Sequence, residues 1–419
     1  LLQVSHQKLW VFGIVPLQSA GMGLGWVLLL RIRARAIVFL TVMLTPLVVL
    51  STSIYVITHA TKHDDLLLLG TGCFGIMWAL LFTASACRKD SLTPTLATEA
   101  SFRLWGAWAG RGVLLVTATM VVTTLFLWAA CTACAAHLWS VPTETGEELR
   151  VGPRWLLPVL LAACMWLAAW LDALLRFTVS CVVTNRYFAS ASSDVVATEG
   201  ALEALHTAVA SYHAPLARGS AVVSAARMLR RIQLGAEGTG DRGKGMVGAV
   251  CGLCPVLMPS VYVGPHAYVL LAQGSRGGFM AASREAFKLL ARNGLSSAAD
   301  SVATAAAFAG VRAMGTCGAV MCVGLGIADD KQRFCYVTVA LVALISDSVV
   351  SRLTSLPHFA MDAVLVCYAQ EIEACRPEAP SRCSSSLHGA LEANTVHERM
   401  HDESQYSTDR QAVFGGDHL

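Results

Sequence analysis

The chain has 419 residues, of which 55% are hydrophobic and only 14% charged, and its formal net charge is +3 at pH 7. An average soluble domain carries about 25% charged residues, so this composition excludes a disordered chain and argues against a soluble globular enzyme. The small, scattered positive charge is no footprint for a nucleic-acid partner, which leaves a polytopic chain whose solvent is the lipid bilayer.

A helix needs about 20 mostly apolar residues to cross a bilayer. Residues 9–30 supply the first such run, 36–57 the second and 66–87 the third, with Arg31, Arg33 and Arg35 filling the tight turn between the first two. Residues 91–110 are partly amphipathic and read as a helix lying on the cytoplasmic surface. The fourth span is 112–138, and the fifth is 155–183, interrupted by Asp172 and Arg176. Those two are four apart, so they can pair on one helix face. Residues 201–232 have helical texture but contain Glu203, His206, His213, Arg218 and Arg227. Residues 246–275 are uncharged but hold Pro255, Pro259 and Pro265, so they read as a broken or partly re-entrant helix. Two further spans follow at 301–326, with Arg312 inside it, and at 334–350, with Asp347 placed to pair with Arg352. Residues 376–419 form a polar tail containing Ser384, Ser385 and Ser386 and read as a disordered cytoplasmic end.

The expected fold is therefore all-α, a polytopic transmembrane helical bundle over residues 1–375. It has nine spans if the two difficult regions cross as a pair and seven if neither crosses, and nine is the working count. Basic loops mark the cytoplasmic side: Arg31, Arg33 and Arg35; Arg88, Lys89, Arg103 and Arg111; Arg284, Lys288 and Arg292. Opposite them fall Lys62, Asp64 and Asp65, then Glu144, Glu147 and Glu148, then Asp329, Asp330 and Lys331. Either count puts the first residue outside and the last inside, and an outside start implies one earlier span, ten in all. Most of the 14 Cys lie in apolar runs, where thiols act as small hydrophobes. The sequence has no HExxH, GxSxG or Walker pattern, so no enzyme, cofactor or metal chemistry is expected.

The segment Tyr212-His-Ala-Pro-Leu-Ala-Arg-Gly-Ser220, then His266-Ala-Tyr268 with Phe279 and Arg284-Glu-Ala-Phe-Lys-Leu-Leu-Ala-Arg-Asn293, then Asp362-Ala-Val-Leu-Val-Cys-Tyr-Ala-Gln-Glu-Ile-Glu373, resembles the choline transporter-like family, segment by segment and in order. Trp26-Val-Leu-Leu-Leu-Arg31 and Thr98-Glu-Ala-Ser101 are similar to family segments upstream. The chain departs from the family pattern at Arg186, where an aromatic is usual, at His266, where Asn is usual, and at Met280 and Gln370. The resemblance implies ten spans with both ends cytoplasmic. It also implies facilitated or proton-exchange movement of choline or a related amine, such as ethanolamine, across a plasma or organelle membrane, the plasma membrane first.

Choline has no N–H to donate, so aromatic faces and negative potential must hold it, at roughly 0.5–2 kcal/mol per cation–π contact. The candidate substrate residues are Tyr212, His213, Tyr268, Trp170 and His266, and the candidate proton carriers are His213 and Asp172. Each has a plainer reading: packing for Trp166 and Trp170, an Asp172–Arg176 pair, a backbone hydrogen bond for His213, and a brace on a cytoplasmic helix for Asp362. Gly264, Pro265 and His266 mark the expected unwound point, where broken helices present carbonyls to cations. On this reading Tyr268→Ala lowers uptake and leaves folding unchanged. The rival is a non-transporting membrane scaffold or lipid-organising protein of the same fold, which Arg186 favours.

Overall fold

The computed structural model describes residues 9–63, most of 69–80, 92–104, 109–138, 156–189, 200–223, 265–295 except 276, 334–374 and 384–391. The expected span at 301–326 and the first part of the 246–275 region lie outside the described residues, as does much of 66–87. Among the described residues there are helices and turns and no strand.

Helix α1 (Leu9–His63) holds the first two expected spans, and its backbone leaves helical geometry at Arg33 (φ −146°, ψ 67°). Trp26 donates its indole N–H to the Thr41 hydroxyl at 2.9 Å, across that corner. Residues almost equally far on either side of Arg33 therefore touch, so the two arms fold back on each other as a helical hairpin. The three arginines at the tight turn are what let it lie in water. Polar side chains inside the apolar arms cost little, because Thr41, Thr45, Thr52 and Ser53 donate their hydroxyls to the carbonyls four residues back.

Helix α2 (Leu92–Leu104) corrects the expectation of a surface helix. Leu96, Ala97, Ala100, Leu104, Glu99 and Arg103 are all buried, and the helix packs between α1 and two later helices. Helix α3 (Ala109–Leu138) and helix α4 (Leu156–Phe188) follow. Among the described residues three helical stretches are long and apolar enough to cross a membrane: Phe39–Thr58, Gly112–Ala130 and Ala162–Phe188.

The first difficult region breaks in two. Helix α5 (Gly200–Ala210) ends in a turn at Ser211 and Tyr212, and helix α6 covers 213–223. In the second region the described residues begin with a Pro265–His266 turn, which leads into helix α7 (Ala267–Ala272). An exposed turn with Gly274 at φ 87° and Gly278 at φ 73° then leads into helix α8 (Gly278–Arg292). Helix α9 (Phe334–Ala374) runs 41 residues without a break and carries Pro357 inside it, so the expected span at 334–350 is only its first part. Helix α10 covers 385–391 within the expected disordered tail; Leu387 and Leu391 are fully buried, and Tyr368 shares a hydrogen bond with His388 at 2.8 Å. The tail is thus ordered over that stretch.

Helices α4 and α9 form the spine. Contacts join Ala168 to Arg352, Arg176 to Asp362, Thr184 to Cys367 and Tyr187 to Glu371, so the two helices advance together and lie parallel. At about 1.5 Å per residue they are roughly 50 and 60 Å long, against a hydrocarbon core of about 30 Å. Large apolar side chains of α4 are exposed at Val159, Met165, Trp166 and Leu167, as a lipid-facing surface requires. From Leu171 to Val183 nearly every residue is buried, by α2, α5, α7 and α9. The irregular turn after α7 and the exposed charges Arg284, Glu285 and Lys288 of α8 are incompatible with hydrocarbon. The spine therefore has a lipid-facing half and a half that projects, clad in short helices, from the basic side.

Candidate functional site

Where α4 passes from lipid-facing to protein-facing, it meets α9 through charge. Asp172 Oδ1 lies 3.2 Å from Arg352 Nη1. The Arg352 side chain is 2% exposed and that of Asp172 42%, so the cation is buried and the anion is partly exposed. Arg352 donates through Nη2 to the Ala168 carbonyl at 3.0 Å, while its Nε and Nη1 make no directed hydrogen bond. One turn along α4, Arg176 donates from Nη1 to Asp362 Oδ2 at 3.3 Å, and its guanidinium stacks 4.0 Å over the Phe359 ring. The other carboxylate oxygen of Asp362 faces His266 Nδ1 at 4.0 Å, and that nitrogen is buried without a hydrogen-bond partner. Two arginines thus balance two aspartates, and a buried histidine stands beside the second pair.

This arrangement corrects the expected Asp172–Arg176 pair. Both residues are used across the seam instead of along the helix. A local i,i+4 pair contributes only about 0.3–0.5 kcal/mol, whereas a buried Arg352 or Asp362 without its partner costs several kcal/mol. Arg352 faces Asp172, and Asp362 is no brace at a helix end but the centre of the seam.

The aromatic candidates lie on other faces. Trp170 and Phe177 are seven apart on α4, and Tyr212 packs on Phe177 with ring centroids 5.0 Å apart. Trp170 is half-buried, and its indole N–H is buried without a hydrogen-bond partner. Tyr268 is 2% exposed and packs on Phe279 at 5.1 Å, fixing the elbow between α7 and α8. Gly219 of α6 closes that elbow: a Cβ there would sit 2.5 Å from the Phe279 ring. His213 is exposed at the start of α6. The structure therefore brings His266 to the charged seam with Asp172 nearby on α4, puts Tyr212 on the aromatic flank of Phe177, and makes Tyr268 a core residue.

Toward the basic end the seam continues as neutral polar contacts. Gln273 and Gln370 exchange side-chain hydrogen bonds at 2.8 and 2.6 Å, and Cys367 approaches Thr184 at 3.6 Å. Tyr187 donates its hydroxyl to Glu371, and Arg103 of α2 lies 4.4 Å over the Tyr187 ring while pairing with Glu99 at 2.8 Å. Sequence reasoning missed Arg176–Asp362, Tyr187–Glu371 and the Gln273–Gln370 exchange. The available signal was Arg352, Asp362 and Glu371 recurring inside one long apolar helix. Among the described residues no three His, Cys, Asp or Glu side chains group as metal ligands.

A family model described as plasma-membrane choline transporter matches residues 72–373, a stretch that includes α2 to α8 and all but the last residue of α9. No curated protein matches the chain.

Proposed function

This chain belongs to the plasma-membrane choline transporter family, and from that premise we propose that it is a carrier moving choline or a related amine, such as ethanolamine, across the plasma membrane in exchange for protons. The observation that carries the reading is the family match over 72–373, which takes in every helix of the charged seam. We propose a bundle of nine spans. The direction of α7 supports this count: His266 touches Asp362 and Gln273 touches Gln370, so α7 runs parallel to α9, as the end of a seventh span would.

The seam is the element whose chemistry suits a moving cation. Asp172 is its one carboxylate with substantial exposure, and it is held by a single arginine. An arriving quaternary ammonium competes with Arg352 for that charge, and the aromatic faces around Trp170 and Tyr212 supply cation–π attraction. Asp362 gives one oxygen to Arg176 and turns the other toward His266. A proton on His266 converts that approach into a charge-assisted hydrogen bond and loosens the hold of Arg176. Proton occupancy would thereby bias how α4, α7 and α9 pack, which is what exchange requires of alternating access.

The test is uptake of radiolabelled choline into proteoliposomes carrying the purified chain, with and without a pH gradient, and with ethanolamine as competitor. The expected result is saturable uptake that rises with an outward proton gradient in choline's direction of exchange and falls with added ethanolamine. Correctly inserted protein that takes up neither amine would overturn the carrier reading and leave the scaffold alternative.

A further inference from the structure

Helix α8 keeps two distinct faces. Phe279, Ala282, Ser283, Ala286, Leu289 and Leu290 are buried against the bundle. On the opposite face Arg284, Lys288 and Arg292 are exposed at i, i+4 and i+8, which places them in one stripe. Phe287 borders the stripe at 41% exposure, and Glu285 is the acid on that face. Arg292 also approaches Glu373 at 3.7 Å, but the Arg292 side chain is 67% exposed and that of Glu373 40%, and so exposed a pair holds little. Exposed Arg218 adds a further cation near the start of α8, because its neighbour Gly219 seats on Phe279.

We propose that this basic face rests on the anionic head groups of the membrane leaflet on the basic side, with phosphatidylserine or another net-negative phospholipid as its ligand. Three observations carry the assignment. The face is cationic where the rest of the helix is apolar or small, so its complement is an extended anionic surface. Phe287 lies at its edge, and aromatic rings favour the head-group depth. The helix is also tethered close to the bilayer: Leu295 is the last residue described after it and the expected span begins at 301, a link that reaches at most roughly 20 Å. Basic residues beside a span gain about 1 kcal/mol each at an anionic leaflet, about a fivefold change in affinity.

The test is equilibrium binding of fluorescent short-chain phosphatidylserine to the detergent-purified full chain, with the phosphatidylcholine analogue as comparator. The expected result is a preference for phosphatidylserine that weakens about fivefold in Lys288→Gln and further in Arg284→Gln/Lys288→Gln, persists in Glu285→Gln, and declines with salt. Equal binding of the two lipids, or undiminished binding by the double variant, would overturn the proposal. Full displacement by inorganic phosphate at matching concentration would also overturn it, by identifying a free-anion site instead of a lipid surface. The substituted side chains are solvent-exposed, so an unchanged thermal unfolding midpoint without lipid separates lost binding from lost fold. None of these outcomes depends on choline uptake.

Discussion

Arg176 and Asp362 are each about nine-tenths buried, and each removes the other's charge from a low-dielectric setting. Asp362→Asn would keep the shape and strand Arg176, which then has the Phe359 face but no anion. The expected loss is about 3–5 kcal/mol, seen as a lower unfolding midpoint of the purified protein. Removing both charges, as in Arg176→Met/Asp362→Leu, is expected to recover most of that stability, because an apolar pair needs no compensation. A double variant as unstable as the single one would show that the pair is not the cause. Uptake gives a second readout: the stable double variant is expected to be inactive if the seam carries the cation, and active if the pair only holds the helices together. The sequence made these residues visible as charges within apolar runs but could not pair them. Partners at separations near 184 residues leave no local spacing to read, and the nearest opposite charge, four residues away, is a misleading guide when an entire helix face is about to be buried.

At the scale of elements, local signals worked where the chain is long and uniformly apolar. The turn at Arg33 and the extents of α3 and α4 follow from the positions of charges along the chain. They failed for α2, whose Glu99 and Arg103 look like a wetted face but are buried and satisfy each other, with Arg103 against the Tyr187 ring. They failed again for α10, whose two anchoring leucines are too few to stand out in a polar tail. Tyr268 shows the consequence for function. It sits in the most family-like segment, and the sequence reading treats it as a substrate contact whose loss leaves folding intact. The structure makes it the packing partner of Phe279 at the α7–α8 elbow. Tyr268→Ala is therefore expected to cost about 3–5 kcal/mol, as large-to-small aromatic changes in cores do, so lower uptake by this variant would report lost protein. Tyr268→Phe keeps the ring and is expected to stay within about 1.5 kcal/mol of wild type. Comparing the two by thermal unfolding and surface level, before uptake is measured, separates the roles: an Ala variant that folds and reaches the membrane like wild type would return Tyr268 to the candidate site.

The parallel packing of α4 and α9 constrains the whole molecule more tightly than any single span. Two helices that lie side by side and advance together cross the membrane in the same direction. An odd number of crossings must then separate them, which both nine and seven satisfy and eight does not. The direction of α7, parallel to α9, adds that the chain between α4 and α7 must also return to the side from which α4 began if α7 ends a full span. The acidic loop ahead of α4, at Glu144, Glu147 and Glu148, and the loop ahead of α9, at Asp329, Asp330 and Lys331, should therefore face the same side. Basic residues concentrate at the opposite end, on α8 and beside α2, which makes the shared side of the acidic loops the outside. The prediction is checked by placing an N-glycosylation sequon in each of those two loops, and a third ahead of α5 between 190 and 199. Modification occurs only on the luminal face, so the first two sites are expected to be glycosylated and the third to remain unmodified. Glycosylation of one acidic loop without the other would break the parallel arrangement. Modification of the third site alone would keep that arrangement and invert the molecule, moving the seam and the basic stripe of α8 to the opposite leaflet.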